Sequence, residues 1–136
     1  MINQKQRDKI IFENSVAPYG SGIARFQSIS LQKVEQLISL NFLDSNQRQN
    51  NSPSVREFLD FSKKLSKEYP KIAKQIYFHG YVVDSTRDNC RTSLEGMGIE
   101  RGAQDITPEI KAKLKLQFRG ADDVQFDSGE FWCWYD

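Results

Sequence analysis

The chain holds one histidine, His79, within "IYFHGYVV", and two cysteines, Cys90 and Cys133. "IYFHGYVV" and "NCRTSLE" are strand-like runs separated by the turn formers "DSTRD", which predicts a β-hairpin. With its centre near Thr86, Val82 would face Cys90, Tyr81 would face Arg91 and His79 would face Ser93. Side chains alternate between the two faces of a strand. One face then gathers Ile76, Phe78, Val82, Cys90 and Leu94. The other gathers Tyr77, His79, Tyr81, Arg91, Ser93 and Glu95. On that second face, His79, Glu95 and Arg91 form a candidate catalytic set. A carboxylate and an imidazole can transfer protons while a guanidinium steadies a phosphate, the type of site used by small ribonucleases. The more ordinary role for a lone histidine in a strand is structural, with its ring nitrogens hydrogen-bonded.

The remaining reactive groups point to no other chemistry. Cys90 would face the core, away from the histidine that could activate it. Ser93 neighbours His79 but lacks a nucleophile elbow. Two thiols are too few for a disulfide framework or a four-ligand zinc site, so both read as buried free cysteines. "EGMGIERG" holds Gly96, Gly98 and Gly102. A dinucleotide-binding turn needs a strand before it and a helix directly after it in a parallel unit. The predicted context is antiparallel, and the segment reads as a glycine-rich loop. The carboxylates of "DSTRDN" and "DDVQFDSGE" match no calcium-loop spacing. No cofactor and no metal is expected.

The elements that must position these residues are three helices and two hairpins. Ser30 caps a first helix, "SLQKVEQLISLNFL", with a stripe of Leu31, Val34, Leu37, Ile38 and Phe42. "DSNQRQNNSP" is amide-rich and reads as an exposed loop. A second helix starts either at Ser52–Pro53 or at Ser54, which forms a capping box with Glu57; it buries Val55, Phe58, Leu59, Ser62 and Leu65. Pro70 breaks it. Thr107 and Pro108 open a third helix, with Ile110, Leu114 and Phe118 buried and Gly120 as its stop. "DDVQF", the turn "DSG" and "EFWCWYD" make the second hairpin. The expected fold is α+β: a single domain at 25–136 with one antiparallel sheet of about four strands, three helices on one face and the order α-α-β-β-α-β-β. Residues 1–24, punctuated by Pro18, Gly20 and Gly22, read as an arm that packs through Ile10, Ile11, Phe12, Val16 and Tyr19.

A chain of 136 residues can bury a substantial core, and 38% hydrophobic with 12% aromatic content is too much for a disordered chain. Nineteen Lys and Arg balance eighteen Asp and Glu, so no global basic field exists for nucleic acid or anionic membrane. The lysine-rich third helix, with Lys111, Lys113, Lys115 and Arg119, could join Tyr77, Tyr81 and Arg91 as a single-strand nucleic-acid surface. It is expected on the other side of the sheet, which disfavours that site. The only apolar run near the start is Ile10 to Phe12, which suits neither a signal peptide nor a membrane span. A cytoplasmic protein is the expectation.

The last strand carries the functional expectation. Phe131, Cys133 and Tyr135 alternate with Trp132 and Trp134. One set must join the core under the helices, and the other must lie beside Tyr77, His79, Tyr81 and Arg91. Either way the open face carries aromatic rings, and an exposed aromatic cluster is a mark of binding surfaces. The rival is that the arm covers this face as a second small core. The expectation is therefore a protein-binding module (an adaptor, inhibitor or immunity-type protein) with binding residues Tyr77, His79, Tyr81, Arg91, Trp132 and Trp134. Its partner would be another protein, or a second copy in a homodimer.

Overall fold

In a computed structural model, which describes residues 3–13, 17–84, 91–102 and 105–136, the chain is α+β. It comprises α1 (Gln4–Phe12), β1 (Ile23–Ile29), α2 (Leu31–Ser39), α3 (Val55–Glu68), a 3-10 turn (Pro70–Gln75), β2 (Ile76–Val83), β3 (Thr92–Ile99), α4 (Pro108–Gln117), β4 (Asp123–Asp127) and β5 (Glu130–Trp134). The sheet is antiparallel with five strands in the order β1-β2-β3-β5-β4. The α4 crossover carries the second hairpin past β3, so that β5 pairs with β3 and β4 forms the far edge.

The fifth strand, β1, is the principal addition to the expected fold. Its alternation is short: Ala24 and Phe26 are buried while Arg25, Gln27 and Ser28 are exposed. Ser21 and Gly22 both have positive φ between the bridged residues Gly20 and Ile23, the two-residue turn that folds the chain back into β1. Ser128 and Gly129 repeat this device between β4 and β5.

The core lies between the sheet and its helices. The predicted stripes bury their apolar side chains: Val34, Leu37 and Phe42 after Ser30; Val55, Phe58, Leu59 and Leu65 on α3; Ile110, Leu114 and Phe118 on α4. Phe61, off the α3 stripe, packs edge-on against Phe118. Ser54 is the α3 N-cap, with the complete capping box to Glu57. Ile11 of α1 joins the same core, with Ile10, Phe12 and Tyr19 packed against it, so this segment lies with the helices. Val16 falls outside the described residues. Arg7, fully buried, donates to the Val83 carbonyl and the Tyr19 hydroxyl, each at 2.9 Å.

Three local readings are corrected. Gly96 and Gly98 are not in a loop but in β3, where Met97 and Ile99 between and after them point into the core. The hairpin register is Val82↔Thr92, Tyr81↔Ser93 and, beyond a bulge, His79↔Gly96. The turn is two residues longer than expected, and Glu95 is the extra bulge residue, which re-aims the strand beyond it. The amide-rich loop is not simply exposed: Ser52 is buried, and Gln47 Oε1 accepts from the Leu94 amide at 3.2 Å. Cys90 and the turn around Thr86 lie outside the described residues.

Candidate functional site

The last strand turns Phe131, Cys133 and Tyr135 into the core, where Phe131 stacks on Phe118 and Tyr135 meets Phe58 edge-on. Trp132 and Trp134 therefore lie on the open face of the sheet, each half-buried. Arg25 and Gln27 of β1, Tyr77, His79 and Tyr81 of β2, Ser93 and Glu95 of β3 and Gln125 of β4 share it. No residue of α1 lines its hollows.

Two glycines shape this face. His79 extends from β2 across β3 above Gly96, and its Nε2 lies 2.7 Å from the Cys133 carbonyl of β5. A carbonyl only accepts, so Nε2 carries the proton. A Cβ on Gly96 would sit 2.0 Å from the Cys133 oxygen and 2.6 Å from His79 Nε2. Tyr77 lies over Gly98 in the same way: a Cβ there would be 2.3 Å from the tyrosine hydroxyl oxygen. Glycines in a strand interior leave the backbone bare, and here neighbouring rings cover it. Trp132 then stacks on His79, with centroids 5.3 Å apart and planes 15° apart.

The polar groups are held from within. Glu95 is buried, and its two oxygens take Arg25 Nη1 and, at 3.1 Å, Trp134 Nε1. Burial lowers the His79 pKa below the usual imidazole value, against the opposing pull of the Cys133 carbonyl and Glu95. Arg91 donates to the Tyr81 hydroxyl at 2.7 Å and to Ser93 Oγ at 3.1 Å. Burial pushes the Tyr81 phenol up, but the donations from Arg91 and Ser93 outweigh it, and its pKa is lowered overall. Cys133, buried in the core, has its thiol pushed up to about 12, which removes it as a nucleophile.

The expected catalytic set is only partly assembled. His79 and Glu95 share the face, but Glu95 pairs with Arg25, while Arg91 stands beyond the start of β3 with Tyr81 and Ser93. Each of these hydrogen bonds serves the sheet itself. Of the expected binding residues, Tyr77, His79, Trp132 and Trp134 line hollows, and Tyr81 with Arg91 forms a neighbouring cluster. Arg25 and Gln27 were not anticipated, although the Ala24–Phe26 alternation around them was the available signal. The lysines of α4 lie elsewhere: Lys111 and Lys115 stand over Phe126, and Lys113 pairs with Glu68. They do not join the aromatic face.

The open face is concave. One hollow of about 430 Å³ is lined by Tyr77, Trp132, Gln27, Gln125 and the carboxylates of Glu100, Asp127 and Glu130. A second, of about 190 Å³, is lined by His79, Glu95, Arg25, Trp132 and Trp134, and it shares Gln27 and Trp132 with the first. Among the described residues no helix is long and apolar enough to cross a membrane, and no cluster of side chains could hold a metal ion. Comparison with protein-family models, curated proteins and solved structures finds no match for the chain.

Proposed function

We propose that this protein is a binding module that receives a protein partner on the open face of its sheet. The observation that carries this reading is the pair of adjoining hollows, walled by Tyr77, Trp132 and Trp134, on a face whose hollows no helix lines among the described residues. Aromatic rings in a concave, half-buried setting are what interface anchors are made of. The potential acid–base groups support it too. Nε2 of His79 and both oxygens of Glu95 are engaged by the sheet's own partners, which suits a preorganised binding surface better than a proton-transfer centre.

The test blocks the groove without touching its supports. Gln27 is exposed and borders both hollows, so Gln27→Trp fills them from above. Lys64→Glu, exposed on α3, is the control on the helix side. Affinity capture from the native cell lysate, read by mass spectrometry, should return a protein with the wild type and with Lys64→Glu and lose it with Gln27→Trp. Equal retention by both variants, or no specific protein at all, refutes the reading. Trp134→Ala is unsuitable, because it would strip a hydrogen bond from the buried Glu95 carboxylate.

A further inference from the structure

The two hollows differ in charge, and the difference names a ligand. In the smaller one the carboxylate of Glu95 is neutralised by Arg25. The larger is bordered by Glu100, Asp127 and Glu130, and no ion pair engages any of the three among the described residues. Asp127 and Glu130 face each other at the end of the β4–β5 hairpin, and Glu100 follows β3 on the same side. Among the described residues no lysine or arginine lines this hollow. Burial raises the Tyr77 pKa, and the charges of Glu130 and Glu100 raise it further, so the carboxylates act on the ring that walls the site.

These carboxylates surround a space rather than converge on a point, since no grouping of side chains among the described residues could hold a metal ion. A cavity of about 430 Å³ bounded by Tyr77 and Trp132 has room for an organic cation. A guanidinium fits its chemistry best. It is planar and weakly hydrated, it stacks on aromatic faces, and it presents a fork of donors to carboxylates; an ammonium is a compact, strongly hydrated point charge.

We propose that the hollow bounded by Tyr77, Trp132, Glu100, Asp127 and Glu130 is a pocket for an arginine side chain of the protein partner. This deepens the binding reading given above and rests on it. A capped oligo-arginine peptide is the probe, titrated into the full chain at low salt and followed by backbone-amide and indole NMR, with oligo-lysine and oligo-glutamate as comparators. Oligo-arginine should shift the Trp132 indole and the Tyr77 and Glu130 amides and bind more tightly than oligo-lysine. The double variant Glu100→Gln/Glu130→Gln, altered only at exposed carboxylates, should keep the folded spectrum and lose roughly fivefold or more of that affinity. Absence of these shifts, equal binding of the arginine and lysine peptides, or unchanged affinity in the double variant overturns the proposal. The two readings separate cleanly. Loss of the captured protein in Gln27→Trp without arginine selectivity leaves a binding face whose anchor is not arginine. Arginine selectivity with capture unaffected by Gln27→Trp leaves the pocket and removes the protein partner from this face.

Discussion

Replacing Gly96 with alanine should destabilise the protein, against the usual sign of that change. Its φ is not in the left-handed region, so alanine can adopt its backbone conformation. At such sites the substitution commonly stabilises by about 0.4–1 kcal/mol, because it restricts the unfolded chain. Here space decides. The new methyl would lie 2.0 Å from the Cys133 carbonyl oxygen and 2.6 Å from His79 Nε2, and the first of these is backbone. Either β5 moves away from β3 or the strand twists, and in both cases the imidazole leaves its carbonyl. Overpacking costs about 1–3 kcal/mol, and a lost buried hydrogen bond about 0.5–1.5. After the unfolded-state gain, the net is about 0.5–4 kcal/mol, centred near 2. That is a large share of the roughly 5–15 kcal/mol of a typical domain. Urea denaturation followed by tryptophan fluorescence should show a lower midpoint with little change in slope. Thermal unfolding should move down by about 4 °C per kcal/mol. Gly120→Ala, where a Cβ meets nothing within 4 Å, is the control and should be neutral or slightly stabilising. In a double-mutant cycle with His79→Ala, the penalty at Gly96 should shrink but persist, since the carbonyl clash remains. A Gly96→Ala protein as stable as the wild type would refute the crossing of His79 over β3.

Other outcomes follow from the same contacts. The chain's single histidine has its pKa lowered by burial, so the unfolded state binds the proton more readily. The His79 contribution is therefore fully present above the unfolded value of about 6.5 and is lost as pH falls below it, by at most about 1.4 kcal/mol per pH unit; urea midpoints across this range should show the slope in the wild type and not in His79→Gln. Trp134→Phe removes one donor from the buried Glu95 carboxylate and should cost about 1.5–3 kcal/mol by denaturant titration, a value near zero being incompatible with the bond. In a Cys90→Ser background, Cys133 should resist a thiol reagent at mildly alkaline pH until denaturant is added, given a thiol pKa of about 12; prompt labelling of native protein would contradict its burial. Ser54→Ala should lose about 1 kcal/mol through the α3 capping box, read from denaturant midpoints, with no change at the open face.

Helical order was the most legible part of the sequence, because a stripe such as Val55, Phe58, Leu59, Ser62 and Leu65 repeats over several turns and its partners lie on one element. The strands were legible in proportion to their alternation. β2 and β5 have strong patterns. β1 alternates only over Ala24 and Phe26 before an irregularity shifts Ile29 out of step, and β3 disguises itself with Gly96 and Gly98. Those glycines are the complement of rings on β2, across the hairpin turn, a relation that local pattern cannot contain. The choice between Trp132 with Trp134 and Phe131 with Tyr135 was likewise settled by pairing with β3 and β4, which fixes the facing of every residue at once. Glu95 was rightly placed on the open face, but its partner Arg25 belongs to a strand that the sequence barely announced.

The amide-rich loop before α3 has a consequence for how the molecule behaves in company. β5 ends at Trp134, and beyond the bond from the Tyr135 amide to the Glu95 carbonyl the start of β3 has no strand beside it on that side among the described residues. A strand flank left bare is a template for another chain, the ordinary beginning of sheet extension and aggregation. Here Gln47 supplies a carboxamide oxygen to the Leu94 amide, and Asn50 donates to the main-chain oxygen of Asp136 just past β5. The Gln47 side-chain amide thus stands where a peptide group would otherwise be. At Leu94 the flank carries a plug that satisfies a donor without offering a strand to continue.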